Sequence, residues 1–258
     1  MVWQIDLSGK CIVVTGGNRG IGLAISHQVA QAGAHVAILY RQSEDAPEIA
    51  KGIAEKYDVR CVAYKCDVTD QKAVQELFRT IYHDVGPVGG VVCNAGVSHH
   101  KPALEYTKED FYKTFEPNVW GVFVAAQAAA LLWKEHQYQN GRIVFISSVS
   151  GTVANKGIAQ AFYNPSKSAL TMLAKALSME WAPMGILVNV VSPGYVDTDM
   201  NQSLRDDAKA RKEVEDATFV GRLSTPDEQA SPTVFFLSDQ ASYITGSELI
   251  VDGGYSAW

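Results

Sequence analysis

Seven short runs rich in valine and isoleucine punctuate the chain: CIVVT from Cys11, HVAILY from His35, VRCVAY from Val59, VGGVVC from Val88, RIVFIS from Arg142, ILVNVV from Ile186 and SELIVD from Ser247. Segments with helical spacing separate them. A strand that is apolar at nearly every position is suited to burial on both faces, and intervening helices supply the crossovers that parallel strands need. The pattern predicts an α/β fold, a doubly wound parallel seven-stranded sheet with helices on both faces. No linker, repeat or low-complexity tract divides it, so residues 1–258 are expected to form one domain. The most polar stretch, about 198–215, interrupts the rhythm between the sixth and seventh runs. It lies beyond a strand's carboxyl end, where such sheets bind ligands, and reads either as a substrate lid or as a solvated surface helix.

A chain of 258 residues, 47% hydrophobic and 19% charged, can bury roughly three quarters of its unfolded surface, which excludes a disordered or fibrous protein. The net charge of −6 comes without a lysine and arginine run, so no nucleic acid or anionic membrane is expected as a partner. The most apolar stretch, Val119 to Trp133, is shorter than the ~20 residues of a bilayer span and contains Gln127. The start MVWQIDLSGK and the end GGYSAW match no targeting signal, which makes the cytoplasm the expected compartment. Cys11, Cys61, Cys66 and Cys93 form no C-x-x-C pair and have no histidines at metal-ligand spacing, so they read as reduced thiols in or beside the core, with no metal. The segment from Asn118 to about His136 reads as a single helix. Its Ala125, Ala126, Ala128, Ala129 and Ala130 would let another element approach closely, either a second subunit or the chain's own sheet.

Three places carry chemistry. TGGNRGIG, Thr15 to Gly22, follows the first strand and runs straight into a helical pattern. A strand, a glycine turn and a helix amino terminus make a phosphate cradle, in which Gly16 and Gly20 allow close backbone approach and Gly22 close helix packing. The spacing is G-x-x-x-G-x-G, distinct from the G-x-G-x-x-G fingerprint of many dinucleotide sites. At the end of the second strand, where a site for NAD would place a carboxylate, stand Tyr40 and Arg41. With Arg19 in the glycine turn, Arg41 can clamp a ribose 2′-phosphate through charge-assisted hydrogen bonds, which points to NADPH. Finally, Tyr163 and Lys167 are four residues apart at the start of a helical segment, so an ammonium stands beside a phenol. A positive neighbour favours phenolate, which suits a general acid and base. Ser148, at the end of the fifth strand, offers a hydroxyl to polarise a carbonyl.

These residues, in order along nearly the whole chain, resemble the short-chain dehydrogenase/reductase family. The resemblance rests on TGGNRGIG, CDVTD at Cys66 to Asp70, NAG at Asn94 to Gly96, Asn118, Ser148, YNPSK at Tyr163 to Lys167, SPGYVDT at Ser192 to Thr198 and DGG at Asp252 to Gly254. It implies a Rossmann-like domain in which Ser148 holds the substrate carbonyl and Tyr163 transfers the proton. It further implies that Lys167 lowers the tyrosine pKa and binds the nicotinamide ribose, while Asn118 holds a relay water. The cofactor contacts it implies are Gly16, Asn18, Arg19, Gly20, Ile21 and Gly22 of the turn, Tyr40 and Arg41, Asp67 and Val68 at the adenine, Asn94, Ala95 and Gly96, and Pro193, Gly194, Val196 and Thr198 at the nicotinamide. Within the family the chain is most similar to fungal NADP-dependent mannitol dehydrogenases and sorbose reductases, through GGNRGIGLA, LYR at Leu39 to Arg41, NAGVS, NVWGVF and EWA. That similarity implies a homotetramer reducing fructose or sorbose to a polyol. Ser98, Ser150, Asn155 and Tyr195 are candidate partners for the substrate's hydroxyls.

Two residues depart from the common family pattern. Pro165 inside YNPSK lacks an amide donor, so the helix must begin close to Phe162 or kink. Cys93 stands where an asparagine is frequent, and little effect is expected. His99 and His100 follow NAGVS as solvated loop residues or as substrate contacts. Two other functions fit the same motifs: reduction of a hydrophobic ketone of secondary metabolism, or an NADPH-sensing regulator without turnover. An intact proton relay argues against the sensor.

Overall fold

The computed structural model describes residues 4–258. Seven strands, β1 (Cys11–Thr15), β2 (His35–Tyr40), β3 (Cys61–Lys65), β4 (Val88–Cys93), β5 (Arg142–Ile146), β6 (Leu187–Pro193) and β7 (Glu248–Val251), form one parallel sheet in the order β3-β2-β1-β4-β5-β6-β7. The third run starts later than its apolar pattern suggests, because Asp58 turns left-handed at φ 54° to close the preceding helix and the Val59 amide bonds back to Ala54.

Side chains along a strand alternate between the faces of the sheet. Cys11 and Val13 of β1 join one core, while Ile12 and Val14 join the other. The first core is covered by α3 (Gln71–Asp84), α5 (Gly121–Glu135) and α6 (Tyr163–Trp181), the second by α1 (Gly20–Gln31), α2 (Ala46–Tyr57) and α9 (Pro226–Leu237). Burying each valine or isoleucine of such a strand contributes about 1.5 to 3 kcal/mol, which explains why the runs are apolar throughout. The five alanines of α5 are buried within the chain's own core, so close packing on the sheet accounts for them.

The segment read as one helix from Asn118 starts in a π turn and is α-helical from Gly121 to Glu135. The helix α4 (Lys108–Phe115) passes through a π turn at Glu116–Trp120 before α5 begins. Pro117 has no amide to donate into the helical ladder, and the wider turn absorbs that loss. The polar stretch after β6 folds as α7 (Gln202–Asp206) and α8 (Ala208–Ala217), the latter without a buried residue and capped by Asp207, whose carboxylate accepts from the Lys209 and Ala210 amides. No helix among the described residues is long and apolar enough to cross a membrane.

The strand order reverses between β1 and β4, where Thr15 pairs with Cys93. A crevice opens beyond the carboxyl ends of the strands at such a reversal. Gly16 and Asn94, the next residues on each strand, stand at its edge.

Candidate active site

The glycine turn is locked to β4 by a small network. The Thr15 hydroxyl accepts from the Asn94 and Ala95 amides, each at 2.9 Å, and the Asn94 side-chain amide donates to the Thr15 and Gly16 carbonyls at 3.0 and 3.2 Å. Asn94 therefore shapes the cradle through its side chain. Gly16 adopts φ +66°, and a Cβ on Gly22 would lie 2.2 Å from the Gly16 carbonyl oxygen, so neither position accepts a side chain without distortion. Arg19 occupies the cap of α1 yet its side chain makes no capping bond, and no acidic residue lies in the first turn. The first amides of α1 are thus left for an anion, as the phosphate reading requires. Asn18 is buried in this turn, and Ile21 reaches the cleft.

Tyr40 is half-buried at the end of β2, and Arg19 and Arg41 are exposed. Asp67 accepts from the amide and hydroxyl of Thr69 at 2.9 and 2.8 Å; these bonds, with the nearby Arg41 guanidinium, hold its carboxyl below the usual range. Val68 packs toward the start of α5, where a Cβ on Gly121 would meet it at 2.7 Å.

The catalytic candidates converge on the inner part of the crevice. Pro165 falls in the first turn of α6, so the helix begins at Tyr163 and carries Tyr163 and Lys167 into the cleft wall without a break. Both are buried, at 8% and 5% exposure, and the Lys167 ammonium lies 5.8 Å from the Tyr163 ring centre. It donates to the Ile146 carbonyl at the end of β5, at 3.0 Å. Ser148 caps the short turn Val149–Gly151, its oxygen accepting from the Ser150 amide at 3.1 Å. Its hydroxyl lies within reach of the Tyr163 phenol and can turn its hydrogen to an oxygen in the cleft.

With Lys167 beside it, Tyr163 is expected from the sequence to titrate below its ordinary pKa. In the structure the direction is the opposite: burial holds the phenol above its ordinary value, and Ser148 only partly offsets it. The same burial presses the Lys167 ammonium down to about 8. Desolvation disfavours both charged forms and outweighs their mutual attraction at this separation.

Asn118 is fully buried, and its side chain is wholly engaged. It accepts from the Val97 amide at 2.8 Å and donates to the Val97 carbonyl at 2.9 Å and to the Ser166 hydroxyl at 3.0 Å. A Cβ on Gly96 would lie 3.1 Å from the Asn118 oxygen and 3.5 Å from the Lys167 nitrogen, so these three residues share one small space.

Ser98, Ser150, Asn155 and Tyr195 all line the cleft, as do Gly96, Pro193, Gly194, Val196 and Thr198. Asn155 donates to the Tyr195 hydroxyl at 3.1 Å, and Tyr195 stacks edge-on against Tyr255, 5.2 Å away. Burial pushes the Tyr195 phenol up, with Tyr255 adding to it. His100 and Gln160 line the cleft too and were not singled out as a pair; the proximity of His100 to NAGVS was the signal available for one of them. Met200 and Asn201, from the polar insertion, close one side.

A family model described as enoyl-(acyl carrier protein) reductase matches residues 16–256. The chain is 37% identical to sorbose reductase sou1 of Schizosaccharomyces pombe over 99% of both sequences. It is 36% identical to the 3-oxoacyl-[acyl-carrier-protein] reductase FabG of Aquifex aeolicus, over 97% of this chain and 99% of that one. A solved short-chain type dehydrogenase/reductase from Mycobacterium marinum superposes with a TM-score of 0.91 at 34% identity, over 98% of each chain.

Proposed function

Because the chain belongs to the short-chain dehydrogenase/reductase family, we propose that it is an NADPH-dependent carbonyl reductase that interconverts a ketose, fructose or sorbose, with its sugar alcohol. Its relatives are named reductases, and the chain is an oxidoreductase, which removes the reading as a sensor without turnover. The observation that carries the substrate reading is the polar lining of the cleft beside Tyr163: Ser98, Ser150, Asn155 and Tyr195. A site built from such groups leaves them unpaired when an apolar ketone enters, at a cost of about 1 to 3 kcal/mol each.

The residues present fit a dinucleotide phosphate cofactor, through the free amides of α1 and the close approach that Gly22 permits. Arg19 and Arg41 would hold the 2′-phosphate, with Asp67 and Val68 at the adenine. Lys167 would hold the nicotinamide ribose, and Pro193, Gly194, Val196 and Thr198 would flank the ring. When bound, NADPH supplies a hydride to the carbonyl carbon. Ser148 donates a hydrogen bond to the carbonyl oxygen as negative charge develops there. The Tyr163 phenol gives that oxygen its proton, leaving a phenolate that the Lys167 ammonium stabilises. Asn118, whose side chain is committed to Val97 and Ser166, would hold the water of a relay to Lys167. In the reverse direction the phenolate takes the proton from the alcohol.

The insertion bearing Met200 and Asn201 acts as a lid over the substrate. Phe111, Tyr112, Trp120 and Leu131 are exposed on α4, the π turn and α5, a surface that supports self-association into a tetramer. Four free thiols fit a reducing compartment such as the cytoplasm. A hydrophobic ketone is the second reading, favoured by Val149, Ile158 and Met200 in the same cleft. Initial rates of NADPH oxidation with fructose, sorbose and bulky aliphatic or aromatic ketones separate the two. The ketose reading expects the sugars to be turned over best; a kcat/KM about ten times higher for an apolar ketone than for every ketose would replace it.

A further inference from the structure

At the mouth of the cleft two loops distant in sequence are tied together. The Lys101 amide donates to the Ala159 carbonyl at 3.1 Å, and Lys101 forms an isolated parallel bridge with Gln160. Inside this tie, the His100 Nε2 atom lies 3.0 Å from the Ser98 hydroxyl and 3.0 Å from the Gln160 side-chain nitrogen. The Gln160 oxygen is buried and has no hydrogen-bond partner.

The chemistry of these atoms is unbalanced in a particular way. An amide nitrogen only donates, so the ring nitrogen facing it is an acceptor and the imidazole is neutral, with its proton on Nδ1. Burial and the neighbouring His99 hold His100 below its ordinary pKa, which agrees with that state. Nε2 has one lone pair, yet two donors face it. One donor, the Ser98 hydroxyl or the Gln160 amide, is therefore in excess, while the Gln160 oxygen is an acceptor without a donor. A hydroxyl group complements the excess donor, because its oxygen accepts a hydrogen bond, and its own hydrogen can satisfy the buried Gln160 oxygen once that side chain turns toward the cleft it lines. A methylene supplies neither.

Resting on the ketose reading, we propose that Ser98, His100 and Gln160 form a subsite that reads a hydroxyl of the open-chain sugar away from the reacting carbonyl, and that His100 is the positioning residue that fixes the other two. Asn155 and Tyr195 line the same cleft, so it offers hydroxyl partners beyond this subsite.

The test compares fructose and sorbose with an unsubstituted methyl ketone of the same six-carbon length, using NADPH and the full chain. For Gln160→Leu and His100→Phe, the ratio of ketose to methyl-ketone kcat/KM should fall by about tenfold or more, mostly through a higher ketose KM. His100→Asn, which keeps a hydrogen-bonding group, should recover most of the ratio, and NADPH affinity serves in each variant as the measure of an intact fold. A ratio in Gln160→Leu and His100→Phe that stays within about threefold of the unsubstituted enzyme's, with NADPH still bound, overturns the subsite. Failure of the ketose reading shows elsewhere, as a preference of the unsubstituted enzyme itself for the methyl ketone, and it takes the subsite with it.

Discussion

The ammonium nitrogen of Lys167 lies 5.8 Å from the centre of the Tyr163 ring, one helical turn along α6, and both groups are buried. Burial acts on the two in opposite senses: the phenol is harder to ionise than usual, and the ammonium, at about 8, loses its proton more easily. Reduction needs a protonated phenol and a charged lysine. Its kcat/KM should therefore be level at lower pH and decline as pH rises through about 8, where Lys167 becomes neutral. Oxidation of the polyol needs the phenolate and should climb with pH into the alkaline range, because burial holds the Tyr163 phenol above its ordinary value. A reduction profile that rises from neutral to alkaline pH would contradict this assignment.

Arg19 and Arg41 carry the cofactor preference. A charge-assisted hydrogen bond to the 2′-phosphate contributes about 1.5 to 3 kcal/mol, so kcat/KM with NADPH should exceed that with NADH by about tenfold or more. Arg41→Asp should erode or reverse the ratio, since a carboxylate repels the phosphate and can pair with a free ribose hydroxyl. Steady-state kinetics with both cofactors decide it, and equal efficiencies in the unsubstituted enzyme would remove the arginines from the argument.

The insertion after β6 is tied down by Arg205, whose guanidinium donates to Asp197 at 2.7 Å and to Asp199 at 3.4 Å. These groups are substantially exposed, and such pairs are worth about 1 kcal/mol or less. Arg205→Ala should accordingly raise the substrate KM by about two- to fivefold through a looser lid, with a smaller change in kcat. An unchanged KM would leave the segment as a surface helix pair.

What the sequence disclosed and what it withheld follow from the range of the interactions. The apolar runs mark the strands because two-sided burial acts on each residue separately, and Pro165 marks the start of α6 because its missing amide acts within one turn. Pro117 carried the same kind of signal, yet the apolar periodicity of α5 masked the π turn it imposes. The closure of Asn118 on Val97 and Ser166, and the meeting of His100 with Gln160, join residues 21 to 60 positions apart. Pairings of that span depend on the packed sheet and leave no local pattern. The direction of the Tyr163 shift was equally out of reach, because it depends on how deeply α6 seats the phenol.

The central claim is that Tyr163, held beside Ser148 and Lys167, carries the proton. It is tested most directly by Tyr163→Phe, with NADPH affinity measured by fluorescence titration and kcat measured on the same preparation. Affinity should change little, while kcat for ketose reduction should fall by about 100-fold or more, the low end of a general-acid contribution. NADPH bound normally with kcat close to that of the unsubstituted enzyme would contradict the account.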